Sequence, residues 1–272
     1  MTLNEKPWTE VTISSWDWFD TQLQKLKPRE WLFRGHADSS WEMRTSLDRL
    51  FDDAAKIIRA AKRKDRRFAK REHEGLLIKT FQKSANLFLK FLPDQSKPLE
   101  WLSIMQHFGT PTRLLDVTLS PYIATFFALN DGVKDGCVFA FNHAEIKKIN
   151  ETILQKQTYK EVQEIVFNGT QRFVTVFNPE YGNERLVPQK GLFLVPSQIN
   201  EKFEDLLADY LQFADDEICI KYVIPAKLRY QGLERLRDMN ITAATLFPGV
   251  DGFCRSLKFQ VLETVQSQKM LE

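Results

Sequence analysis

Between Met105 and Ala128 the chain reads MQHFGTPTRLLDVTLSPYIATFFA, and His107, Thr112, Arg113, Asp116, Thr118 and Ser120 fall within fourteen positions of it. An imidazole, a guanidinium, a carboxylate and three hydroxyls in so short a span can hold an anion, order a ribose or move a proton. Gly109, Pro111 and Pro121 punctuate the stretch, as in a shaped loop between hydrophobic runs. Two more groups fit the same chemistry. Arg34 follows the apolar run Trp31-Leu32-Phe33, and Gln189 precedes the run Gly191 to Val195. Arginine forks grip diphosphates, and hydroxyls ahead of a helix N-terminus hold ribose or phosphate, so the three together suit a nucleotide such as NAD. Each also has a purely structural reading: Arg113 can pair with Asp116, Thr118 and Ser120 can cap a helix, and Gln189 can satisfy backbone groups.

The elements that must position these groups can be read locally. Pro121 suits the first position of a helix and Ser120 its cap, with Ile123, Phe126 and Phe127 on the buried face. The polar residues Asp116 to Ser120 read as a strand-to-helix loop. Trp31 to Phe33 reads as a buried strand that delivers Arg34 to the rim of a sheet, Gly35 being tolerant of any φ. Trp8 to Ile13, Cys137 to Phe141, Gly191 to Val195 and Ile218 to Ile224 are further strands. Helices are expected from Ser15 to Lys27, Leu99 to Phe108, His143 to Ile153 behind an Asn142 cap, Asn200 to Phe213 and Pro225 to Met239. Trp41 and Leu47 are expected anchors. Leu76 to Leu92 reads as an apolar helix with Leu77, Phe81, Phe88 and Leu92 near one face, and Asn240 to Gly252 as a loop before a short last element. This alternation predicts one α+β domain over residues 1–272, with a central mixed or split β-sheet, flanking helices and a helical insertion at about 52–92.

Composition sets limits on function. The 272 residues are 43% hydrophobic, with 21 Phe and 6 Trp, enough for a large core. A net charge of +2, from 38 basic and 36 acidic side chains, supplies no global attraction to nucleic acid or membrane. One cluster stands out, since nine of the sixteen residues from Lys56 to Arg71 are Lys or Arg. It reads as a basic amphipathic helix, either a solvated face or a nucleic-acid contact through Lys62, Arg63, Arg66 and Arg67. Cys137, Cys219 and Cys254 are far apart and read as reduced core residues of a cytoplasmic protein, without a signal peptide or membrane span. Four scattered histidines without HxxxH or HxH spacing predict no metal site. GxSxG, Walker and GxGxxG patterns are absent, which argues against serine-nucleophile and phosphate-loop chemistry.

The blocks Phe33-Arg34-Gly35, SSW (39–41), SLDR (46–49), the 106–128 stretch, RLVPQKGLF (185–193) and TLFPGVDG (245–252) resemble the FRG domain family, in the expected order over about residues 30–252. That family is named for its motif rather than for an activity. The chain is also similar, more weakly, to ADP-ribosyltransferases of the arginine, serine, glutamate type. Their aromatic-Arg-Gly matches Phe33-Arg34-Gly35, and their serine block matches Asp116 to Pro121 with Ala124 and Phe127. Where their catalytic glutamate would stand this chain has Gln189, with Glu184 upstream, and a glutamine cannot offer a full charge to an oxocarbenium-like centre. The resemblance implies NAD as substrate. Arg34 would clamp the diphosphate or ribose beside Gly35, Thr118 and Ser120 would order the nicotinamide ribose, and His107, Arg113 and Asp116 would shape the wall or activate a protein or nucleic-acid acceptor. It also implies a toxin or antiphage role. Two other readings stand beside it: a nucleic-acid binder working through the basic helix, and a non-catalytic interaction module whose polar blocks are buried networks.

Overall fold

A computed structural model describes residues 6–27, 29–61, 70–155, 157–180 and 184–269. Its elements are β1 (Thr9–Thr12), α1 (Trp16–Lys25), β2 (Trp31–His36), α2 (Ser46–Ala60), α3 (Lys70–Ser84), α4 (Pro98–His107), β3 (Leu115–Thr118), α5 (Pro121–Leu129), β4 (Gly136–Asn142) and α6 (His143–Ile153). There follow α7 (Tyr159–Asn168), β5 (Val174–Phe177), α8 (Leu186–Gln189), β6 (Gly191–Pro196), α9 (Phe203–Ala208), β7 (Cys219–Ile224), α10 (Arg229–Asp238), α11 (Ala243–Leu246) and α12 (Gly249–Lys269). The strands form one mixed seven-stranded sheet in the order β1-β7-β4-β2-β3-β6-β5. Among the described residues only β1 and β7 pair in parallel.

Side chains alternate across a strand, so each strand feeds two cores. Leu32, Leu115, Val117, Phe139 and Phe141 face one way, under α3, α4, α6, α7 and α9. Phe33, Val138, Ala140, Ile220 and Tyr222 face the other, under α1, α5, α10 and α11. The sheet is well joined on both sides of its middle and weakly joined at it. β2 lies against β4 along its whole length from Trp31 to His36, whereas β2 and β3 meet at the single registered pair Phe33 and Thr118.

Local chemistry sets most of the helix starts. Ser15 accepts from the Trp18 amide, Ser120 from Ile123 and Asn142 from Glu145, while Thr45 and Asp48 form a capping box. Gly109 closes α4 with φ at 87°, a left-handed position that favours glycine.

Several expectations are corrected by tertiary packing. Arg34 and Gly35 lie within β2, not at its rim, because the strand pairs with β4 as far as His36. Gly35 is needed for space rather than for φ: a Cβ there would come within 2.0 Å of the Ala124 carbonyl oxygen, where α5 crosses β2. Asp116 and Thr118 belong to β3 rather than to a loop. Trp41 is 57% exposed and Phe88 80%, so neither anchors a core. Residues 85–87 form a short 3-10 turn, residues 209–212 another, and α12 begins at Gly249 and runs for 21 residues where a loop is expected. Cys254 is exposed, whereas Cys137 and Cys219 are buried.

One ion pair ties the insertion to the sheet. Arg113, fully buried ahead of β3, donates through Nε to both carboxylate oxygens of Glu74 at 2.8 and 3.0 Å and through Nη2 to Oε2. Its Nη1 donates to the Val166 carbonyl at 2.7 Å, and the guanidinium lies 4.7 Å from the Phe167 ring centre.

Two stability outcomes follow. Gly35→Ala forces β2 and α5 apart and is expected to cost about 3 kcal/mol or more in urea unfolding. Glu74→Ala leaves the Arg113 charge buried and unpaired, for an expected loss of about 3–5 kcal/mol, with Glu74→Ala/Arg113→Met recovering part of it in the same assay.

Candidate functional site

Where β2 and β3 part, a cleft of about 1010 Å³ opens. β2, β3 and β6 contribute Arg34, His36, Asp116, Thr118 and Leu192, α4 contributes Ser103, Gln106 and His107, the segment after β2 contributes Trp41, Glu42 and Arg44, and α2 contributes Arg49. Gln189 and Phe247 close the far side.

Arg34 is the central group. Its side chain is 18% exposed; Nε donates to His36 Nε2 at 3.1 Å and Nη1 to the Asp116 carbonyl oxygen at 2.7 Å. Nη1 also lies 3.9 Å from the Asp116 carboxylate. Among the described residues nothing takes a hydrogen bond from Nη2. Burial pulls the guanidinium below its ordinary pKa, and Asp116 opposes that shift. Asp116 is itself oriented by Gln106, whose Nε2 donates to Oδ1 at 2.8 Å while its Oε1 accepts from Thr112 Oγ1.

His36 stands on the same face of β2 as Arg34, two residues on. Because its Nε2 accepts from Arg34, the neutral ring carries its proton on Nδ1. Burial first, then the charges of Arg34 and Lys221, push its pKa down to about 3. His107, at the C-terminal end of α4, is also lowered, by burial and then by Arg185. The charged lining residues are Arg34, Arg44, Arg49 and Arg185 with Glu42, Asp116 and Asp131, and Arg185 lies 3.6 Å from Asp251 behind the wall. Arg44 is partly neutralised by Asp52 at 2.6 Å.

The candidates of the sequence separate into two sets. Arg34, Gly35, His107, Asp116, Thr118 and Gln189 are brought together in the cleft. Thr118 Oγ1 donates to the Gln189 carbonyl at 2.7 Å and accepts from the Ser120 amide at 3.1 Å, and Gln189 Nε2 donates to the Leu246 carbonyl at 3.0 Å. Gln189 therefore holds α11 against the cleft rather than presenting a free amide. Arg113, Ser120 and Glu184 do not line it. Arg113 is committed to Glu74, Ser120 caps α5, and Glu184 is exposed outside the cleft. Lys62, Arg63, Arg66 and Arg67 lie outside the described residues. The flanks of that basic run are engaged within the chain: Lys56 with Asp53, Lys70 with Asp48, and Arg71 with Ser197 and Gln198.

His36, Ser103 and Gln106 are the residues that reading the sequence passed over. The period-2 spacing of Arg34 and His36, and the helical spacing of Ser103, Gln106 and His107, carry the signal that finds them. Cys137 is no nucleophile, since burial pushes its thiol up to about 12. Among the described residues no group of three or more His, Cys, Asp or Glu is arranged to hold a metal ion, and no helix is long and apolar enough to cross a membrane.

The depressed pKa of His36 gives a pH prediction. Both folded and unfolded chains hold this ring neutral above its ordinary value of 6.5, so its contribution is complete there. As pH falls from 6.5 toward 3 only the unfolded chain gains the proton, so stability is expected to drop by up to about 1.4 kcal/mol per pH unit. Denaturant unfolding at several pH values should show this slope reduced in His36→Phe.

No curated protein and no solved structure matches the chain. The family model for the FRG domain matches residues 29–136. That span holds β2, α4, β3 and α5, and with them Arg34, Gly35, Asp116 and Thr118, while Gln189 and Phe247 on the opposite wall lie beyond it. The chain carries an FRG domain over residues 29–136, and this domain builds one wall of the cleft.

Proposed function

We propose that the cleft binds NAD or a closely related dinucleotide and that the protein is an ADP-ribosyltransferase-like enzyme. The observation that carries this reading is Arg34, a largely desolvated guanidinium at the point where the sheet opens, with one Nη edge free of protein partners among the described residues. In such a setting a charge-assisted bond to a diphosphate is stronger than in water. The cleft also has the size of small-molecule and cofactor sites, which run to about 1,000 Å³.

Transfer requires the bond between ribose C1′ and nicotinamide to break, with nicotinamide leaving with the electron pair. An acceptor nucleophile then bonds to C1′ and gives up its proton. The electron-poor C1′ needs a carboxylate nearby. Gln189 cannot supply it and Glu184 stands outside the cleft, so we assign that role to Asp116, held by Gln106 and beside Arg34. His107, uncharged more readily than an ordinary histidine, is placed to receive the acceptor's proton. The acceptor is a protein or a nucleic acid, and a toxin or antiphage role would follow from its modification.

In calorimetry Arg34→Ala is expected to weaken NAD binding by about 10- to 100-fold, the worth of a charged hydrogen bond, with Arg34→Lys in between because it keeps the charge without the fork. Unchanged affinity in a folded Arg34→Ala protein would overturn the assignment. With NAD labelled on the adenylate phosphate and lysate as acceptor, wild type should label a macromolecule. Asp116→Asn should retain NAD binding within a few-fold and lose transfer; full transfer by that variant would remove Asp116 from the mechanism.

A further inference from the structure

Several apolar side chains that find no core collect in one turn after α3. From Leu87 to Leu92 the chain reads LFLKFL, and Leu87, Phe88 and Phe91 are 74%, 80% and 83% exposed, with Leu92 exposed beside them. Their display is fixed from below. Ala85 and Pro93 are buried, Leu89 packs on the core, and the Phe88 and Leu89 amides both donate to the Ala85 carbonyl, at 3.0 and 2.9 Å. On α3 itself Ile78 and Phe81 turn to the core, while Leu76, Lys79 and Lys83 recur at helical spacing on the exposed side. Neighbouring apolar side chains exposed to this degree mark a surface that something covers. The charge around them is of one sign. From Gly75 to Pro93 there are three lysines and no Asp or Glu. Lys79, Lys83 and Lys90 are all exposed, and among the described residues none pairs with an acid. Twelve of the 38 basic side chains but five of the 36 acidic ones fall between Asp52 and Leu92, a net of +7 that leaves −5 for the rest of the chain. Such an asymmetry turns this end of the molecule toward an anionic surface.

We propose that residues 76–92 form a docking surface for an anionic lipid bilayer, the turn from Leu87 to Leu92 entering the boundary between headgroups and acyl chains and the lysines meeting anionic headgroups. The apolar turn is far too short to span a bilayer, so the attachment is peripheral and reversible. It stands independently of the chemistry of the cleft. A second copy of the chain fits this face poorly, because a two-fold contact sets its lysines against their own kind. Nucleic acid satisfies the lysines, but Leu87 and Leu92 offer no ring on which a base stacks.

The test is cosedimentation of the full chain with vesicles of phosphatidylcholine alone and of phosphatidylcholine with about one-third phosphatidylserine. Wild type should sediment with the mixed vesicles, far less with the neutral ones, and less again as salt is raised. Phe88→Ser/Phe91→Ser removes two exposed rings, so its melting temperature should hold while its affinity for the mixed vesicles falls at least about tenfold. Lys79→Glu/Lys83→Glu should lower that affinity by about tenfold or more, each lysine near the surface being worth about fivefold. Wild type that leaves the mixed vesicles in solution, or a folded phenylalanine variant that binds them undiminished, overturns the proposal. Without vesicle binding, a single-stranded oligonucleotide bound by wild type and not by the phenylalanine variant gives the face to nucleic acid. A dimer in sedimentation equilibrium that the same variant dissolves gives it instead to a second copy.

Discussion

The buried Glu74 and Arg113 pair is the constraint on which the rest of the cleft depends. Arg113 precedes β3, Glu74 lies on α3, and the same guanidinium reaches the Val166 carbonyl in the last turn of α7. Two charges withdrawn from water are tolerable only when matched in geometry and in hydrogen bonds, so this pair admits one arrangement of three otherwise separate segments. It places the start of β3, and β3 is the strand whose departure from β2 makes the cleft. Ser46 and Thr112 exchange bonds next to it, which seats the N-terminus of α2 on the same segment.

A sheet interrupted at its centre would expose backbone groups unless something filled the gap. Here Arg34 does so, donating to the Asp116 carbonyl across the opening, while Thr118 turns its hydroxyl to the Gln189 carbonyl. On the other face α5 lies so close to β2 that Gly35 is the residue that fits. The opening is therefore a built feature: one face is clamped by a helix and the other lined by side chains with capacity for further bonds.

Charge in this cleft is arranged by burial as much as by residue type. A neutral His36 next to the Arg34 cation removes a repulsion that two cations would create, and it orients the guanidinium through Nε. Asp116, far more exposed, keeps a carboxylate at the mouth, with Gln106 and Thr112 as a relay of hydrogen bonds that fixes its direction. The cation thus lies deep in the wall and the carboxylate at the rim.

What the sequence by itself determined about this protein is its local punctuation and its periodicity. Ser120 before Pro121, Asn142 before His143 and Gly109 after Phe108 mark element ends because capping is a matter of adjacent residues and their own hydrogen bonds. The apolar runs at 31–33 and 191–195 are strands for the same kind of reason, and the FRG blocks drew attention to Arg34, Asp116 and Thr118 without their partners. Only the tertiary structure decided that Arg113 pairs with Glu74 rather than Asp116, that Gly35 yields to Ala124 rather than to a turn, and that Gln189 bonds to Leu246. It alone brought Ser103 and His36 into the lining of one cleft. Those outcomes turn on strand register and helix docking, which bring together residues tens of positions apart, and no short-range spacing encodes which of several chemically adequate partners will arrive.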